Sequence, residues 1–160
     1  MKRITIAIML CLAFFCEQAT AQSKPDPPKT EYDAALAEKL GADEYGMRNY
    51  VYALLKTGKT LIKDEKKRKA LFTGHFENMD RLAEAGKLVA AGPFDDPNGV
   101  MRGFYIFNVT SVEEAQELVK SDPAVKAGIF EFELTKLYSS AALMMINEVH
   151  KKIQKTAIND

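Results

Sequence analysis

Two short segments, Tyr50 to Leu55 (YVYALL) and Gly103 to Val109 (GFYIFNV), are apolar or aromatic at both odd and even positions. A strand sends successive side chains to opposite faces, so segments of this kind must be covered on both faces and belong at the centre of a sheet. Two further segments read as their neighbours. Leu88 to Ala91 is a short strand ended by Gly92-Pro93. In Phe130 to Leu137, Phe130, Phe132 and Leu134 alternate with Glu131, Glu133 and Thr135, which leaves one face wet. The turn chemistry of Asp95-Asp96-Pro97-Asn98-Gly99 makes the second strand hairpin into the third.

The intervening segments have helical period. From Asp64 to Gly86, Leu71, Phe72, Met79, Leu82 and Ala83 fall in one apolar arc with Glu77, Asp80, Arg81 and Glu84 opposite, while DEKKRK at its start reads as a solvated charge run. Ser111 and Glu114 form a capping box ahead of Val112, Ala115, Leu118 and Val119, and Pro123 stops that helix. The order strand, helix, strand, strand, helix, strand is that of the α+β ferredoxin-like βαββαβ fold, a four-stranded antiparallel sheet with strands 1 and 3 central. Two helices cover only one face of such a sheet. The second face, carrying Tyr50, Tyr52, Phe104 and Ile106 or their neighbours, is then an apolar patch whose simplest cover is a second copy, and a homodimer is expected. A C-terminal helix, Ala141 to Lys155, carries a stripe of Ala142, Met145, Ile146, Val149 and Ile153 that can join that interface or pack on its own sheet.

The ends of the chain set its expected location. Met1 to Ala21 has basic Lys2 and Arg3, an apolar run from Ile4 to Phe15 and the small-residue site Ala19-Thr20-Ala21, the signature of a secretory signal peptide. The domains expected are therefore the signal peptide 1–21, a tether and short helix 22–46, the ferredoxin-like domain 47–138 and the C-terminal helix 139–160. The product is exported, periplasmic or secreted, and free of the membrane once cleaved. Cys11 and Cys16 both lie in the leader, so the mature chain has no disulfide and no thiolate ligand. Without the leader the 22 basic and 22 acidic residues become 20 and 21, and nothing in that balance attracts nucleic acid or an anionic membrane.

Within the first apolar arc stands His75, directly after Gly74. A core-facing histidine has two ring nitrogens to satisfy, so it is either a bonded structural residue or a group held for proton transfer. Gly74 weakens the helix by roughly 1 kcal/mol relative to Ala, which points to a close neighbour. Asp122 before Pro123 is an N-cap with proline at the first helical position, and a carboxylate in that place can also orient an imidazole. Gly92 and Pro93 could admit a ligand to the backbone or simply form a turn, and Arg102 could pair with a substrate carboxylate or be a solvated strand-edge residue. His150 sits among lysines near the C-terminus and reads as surface. Thr73 and its neighbours match no nucleophile motif, and no metal-ligand spacing accompanies the two histidines.

Taken together and in this order, YVYALL, His75 followed by RLAEAGKLVAAGPF, GFYIFNV and SVEEAQELVKSDPAVKAGIFEFEL resemble the YCII-related (YciI-like) family of the dimeric α+β barrel superfamily, from Tyr50 to about Tyr138. The resemblance implies His75 and Asp122 as the active-site pair. It also implies a small-molecule ligand, no cofactor and, by analogy with a dehydrochlorinase and muconolactone isomerase of that superfamily, elimination or isomerisation. A non-catalytic binding or structural dimer module is the alternative. The leader, tether and C-terminal helix depart from the simplest cytoplasmic members.

Overall fold

The central position of the two doubly apolar segments is realised in the computed structural model, which describes residues 31–156; the leader and the tether to Thr30 lie outside the described residues. Helix α1 (Ala34–Leu40) is capped by Asp33 and stopped by Gly41, whose φ of 64° is the left-handed conformation a helix end favours. Strand β1 (Met47–Thr57) and helix α2 (Glu65–Glu84) follow, then strands β2 (Leu88–Pro93) and β3 (Met101–Phe107). Helix α3 (Val112–Lys120), the single turn α4 (Pro123–Lys126) and strand β4 (Phe130–Ser140) complete the βαββαβ unit. The sheet runs β2-β3-β1-β4, antiparallel at every step. This is the ferredoxin-like order, and the strands exceed the apolar segments because ladder pairing continues into polar flanks such as Arg48 and Lys56.

Alternation along the central strands builds two different faces. Val51, Ala53 and Leu55 of β1 and Tyr105 and Phe107 of β3 point at the helices, where they join Leu82 of α2, Ala115 and Val119 of α3 and Ala124 of α4 in the core. At roughly 1.5–3 kcal/mol for each large apolar side chain buried, this layer supplies most of the stabilisation. The opposite face carries Tyr50, Tyr52 and Leu54 beside Phe104 and Ile106, with Tyr52 and Phe104 stacked at 6.1 Å between centroids.

The C-terminal segment settles one alternative and corrects another expectation. Rather than one helix from Ala141 to Lys155, it is a 3-10 turn (Ala141–Met145) followed by helix α5 (Ile146–Ile153). The Ser140 side chain caps the tighter turn by accepting from the Ala142 amide at 3.2 Å, directly at the end of β4. The segment then reaches β1 and β2 of its own sheet, where Asn147 donates to the Leu88 carbonyl at 2.8 Å. Tyr50 of β1 and Val89 of β2, like Ala141 at the start of the segment, are buried yet stand outside the main core. Val149 and Ile153 remain exposed, so only part of the stripe is used.

Arg48 ties the N-terminal helix to the sheet. Its guanidinium donates to the Leu40 carbonyl and to Asn108 Oδ1, both at 2.6 Å, satisfying one of the carbonyls that the end of α1 leaves open.

Candidate active site

Helix α2 delivers His75 to the core because the residues four before and four after it, Leu71 and Met79, share its apolar face. Helix α4 delivers the partner. Gly74 is the point of contact: a Cβ there would lie 3.1 Å from Cγ of Pro123, so the close neighbour that the glycine implied is the proline ring of α4. Pro123 at the first helical position fixes Asp122 as the N-cap, and the two helices in contact bring Asp122 against His75.

Three polar side chains then meet in a site lined with aromatic rings. Asp122 is fully buried, and its Oδ1 accepts from the Ala124 amide at 2.8 Å. Its Oδ2 lies 2.6 Å from His75 Nδ1 and accepts from the Tyr105 hydroxyl at 2.8 Å. Burial is the largest single influence on this carboxyl and pushes its pKa up. The hydrogen bond and charge of His75, the Tyr105 hydroxyl and the Ala124 amide together outweigh burial and leave it below its ordinary value. Asp122 is thus a carboxylate. Burial first, then the charge and hydrogen bond of Asp122, hold the Tyr105 phenol protonated far above its ordinary range.

These charge states decide where the protons sit. A carboxylate only accepts, so Tyr105 and His75 Nδ1 must both donate to Oδ2, and the ring proton is on Nδ1. The 3.3 Å separation of the Tyr105 hydroxyl and Nδ1 then brings two donors side by side rather than into a bond of their own. In the neutral ring Nε2 carries a lone pair, which can take a proton and return it. Nε2 has no partner among the described residues. It is also absent from their fully enclosed, unpartnered polar atoms, Arg48 Nε and Asn78 Nδ2, so it retains access to solvent. His75 as a whole is 8% exposed, with the rings of Phe76, Phe130, Phe72 and Tyr105 5.3 to 6.3 Å from its own.

The other candidates fall in different places. Arg102 borders a cleft of about 350 Å³ that also includes Phe72 and Phe130, two of the rings packed around His75. Gly92 and Pro93 lie in the β2–β3 ladder opposite Phe104 and Gly103. A Cβ on Gly92 would meet the Phe104 ring at 3.2 Å, so its small size makes room for that ring on the sheet face away from the helices, and neither residue lines the cleft. His150 and Thr73 are exposed. Tyr105 was missed from the sequence because it stands in an apolar strand. The available signal was that a phenol pointing at the core must find a partner for its hydroxyl.

Comparison with known proteins locates the family resemblance on the chain. The chain is 34% identical over 85 residues to the uncharacterized protein YjpA of Bacillus subtilis (strain 168), covering 53% of this chain and 91% of that protein. Among solved structures it is similar to the 5-chloro-2-hydroxyhydroquinone dehydrochlorinase TftG of Burkholderia phenoliruptrix AC1100, a complex with 2,5-dihydroxybenzoquinone. That match has 20% identity, covers 53% of this chain and 90% of that one, and has a TM-score of 0.39. The YCII-related domain matches residues 50–136, which run from Tyr50, the first buried residue of β1, to the middle of β4 and enclose His75, Tyr105 and Asp122. The chain belongs to the YCII-related domain family.

Proposed function

We propose that this protein is an exported, homodimeric acid/base catalyst of the lyase or isomerase type, acting on a small molecule without a cofactor. One observation carries the reading: the fully buried Asp122 carboxyl stands 2.6 Å from Nδ1 of a histidine whose Nε2 has no partner among the described residues, and the surrounding donors favour its ionised form. Burying a charge is costly unless it is paired and hydrogen-bonded, and a core histidine filling space would need no such arrangement. Elimination and isomerisation both require a proton to be taken from one atom and delivered to another or to the leaving group. A single imidazole in fixed orientation can perform both transfers.

Export rests on the leader at Met1 to Ala21. The homodimer rests on the sheet face away from the helices, where Tyr52, Leu54, Phe104 and Ile106 remain only half-covered beside the C-terminal segment and exposed Phe94 borders them. A second reading, a binding module without catalysis, has the enclosure of His75 by four aromatic rings in its favour.

Turnover of a panel of halogenated and hydroxylated cyclic acids, lactones and quinols separates the two. The catalytic reading expects a substrate that is lost with His75→Gln and with Asp122→Asn while both variants stay folded. A ligand bound equally well by all three proteins, with no turnover by any, supports the module.

A further inference from the structure

The cleft bordered by Phe72 and Phe130, two of the rings around His75, has a composition that acid/base chemistry alone does not explain. Its walls are Phe72 and Phe130 together with Leu61, Ile62 and Ile129, and two guanidiniums, Arg68 and Arg102, stand at its edge. Neither arginine has a side-chain hydrogen bond or ion pair with another described residue, whereas Lys59 in the same cleft pairs with Glu131 at 3.4 Å. Two guanidinium side chains without a partner among the described residues, lining one cleft with aromatic and aliphatic walls, form a site for a planar anion with an apolar body.

Two features of the backbone place these groups. Arg68, Phe72 and His75 occupy positions i, i+4 and i+7 of α2 and so share one side of the helix. Arg102 is the residue skipped by the ladder, since Leu55 pairs with Gly103 and Lys56 with Met101, and a bulge of this kind re-aims a side chain. The remaining wall is pre-formed. Gly58 donates to the Ile129 carbonyl at 2.8 Å and Thr60 to the Gly128 carbonyl at 3.0 Å. A Cβ on Gly58 would fall 2.2 Å from the Gly128 oxygen, so only glycine permits that approach. A volume of about 350 Å³ is at the small end for ligand pockets and suits a body of about one ring.

We propose that this cleft binds a small planar carboxylate, with Arg68 and Arg102 on the carboxylate and Phe72 and Phe130 against an apolar body of one-ring size. As a statement of substrate class it rests on the acid/base reading of His75; as a binding site it stands without it.

Benzoate, with neutral benzamide as its isostere, is the probe, titrated calorimetrically into the full-length protein. Benzoate is expected to bind saturably at one site per chain, roughly tenfold or more tighter than benzamide. Arg68→Gln and Arg102→Gln should each weaken it by about tenfold, the loss expected for a charge-assisted hydrogen bond. Arg68→Lys should recover only part, because the charge returns without the fork. Both arginines are exposed and unpaired, so the variants should melt with wild type, and His75→Gln should hold benzoate within about threefold since it removes no cleft cation. Absence of benzoate binding, equal binding of benzamide, or undiminished binding by the double Arg68→Gln, Arg102→Gln variant overturns the proposal. Arginine-dependent benzoate binding without turnover of any carboxylate would retain the site and remove the acid/base reading.

Discussion

Replacing Asp122 by Ala and by Asn separates what its carboxylate does for the fold from what it does for the histidine. The alanine change removes the N-cap of α4, worth about 1 kcal/mol, because the 2.8 Å bond to the Ala124 amide is lost. It also strips the acceptor from two buried donors, the Tyr105 hydroxyl and His75 Nδ1, at roughly 1–3 kcal/mol each. Those groups stand 3.3 Å apart, so Nδ1 can release its proton to Nε2 and accept from Tyr105, which recovers about 1 kcal/mol. The expected net loss is about 3 kcal/mol, near 10 °C in Tm for a domain of this length. Asp122→Asn keeps the cap through its amide oxygen and presents its NH₂ to Nδ1, so its cost should be about 1 kcal/mol.

The acid limb supplies an independent check on the same residue. Because the folded pKa of Asp122 lies below its unfolded value, its charge contributes stability above about pH 4 that is lost as pH falls through the folded value. The advantage of wild type over Asp122→Asn should therefore shrink from about pH 5 to pH 3. Thermal melts across that range are the assay. If Asp122→Ala melts within about 3 °C of wild type at pH 7, Asp122 is neither the cap nor the common acceptor, and the reasoning fails.

Three further outcomes follow from the same geometry. Tyr105→Phe removes a donor to Asp122, so it should cost about 1–2 kcal/mol and raise the pH at which acid destabilisation begins, as urea midpoints at pH 7 and pH 4 will show. Gly74→Ala ought to gain about 1 kcal/mol from helix propensity alone. The Cβ would press on the Pro123 ring that positions Asp122, so Tm is expected to stay level or fall; a rise of several degrees would show that the contact yields freely. Ending the chain at Ser140 uncovers Tyr50 and Val89, and should lower stability by about 3–5 kcal/mol while leaving the βαββαβ order intact, measurable by urea unfolding and circular dichroism.

The periodic features of the sequence carried most of the architecture. Doubly apolar β1 and β3 could stand only at the centre, and Asp-Pro after α3 could hardly be anything but a helix start, so the strand order and the cap of α4 were legible in the residues alone. His75 was legible as a candidate because it interrupts an apolar arc, and Asp122 as an N-cap to which the family resemblance gave a second role. Their pairing came only with the family resemblance, and its physical basis was not legible, since it depends on Gly74 letting α4 approach α2, a packing event between residues 47 positions apart. Tyr105 was hidden by its strand and Arg68 by the charge run around it. Arg102 could be named as a carboxylate partner, but the bulge that turns it toward the cleft leaves no mark in composition. The 3-10 start of the C-terminal segment was likewise illegible, because Ala-Ala-Leu-Met-Met favours an α-helix by propensity.

The most direct test of the acid/base arrangement is the nitrogen NMR spectrum of the His75 ring in uniformly ¹⁵N-labelled protein, recorded above the pH at which imidazole is neutral. The account predicts the Nδ1–H tautomer in wild type, with an unprotonated Nε2, and the Nε2–H tautomer in Asp122→Asn, where the side-chain NH₂ takes the place of the accepting oxygen. An Nε2–H tautomer in wild type would mean that Asp122 does not hold the Nδ1 proton, and would remove the free base on which the proposed chemistry depends.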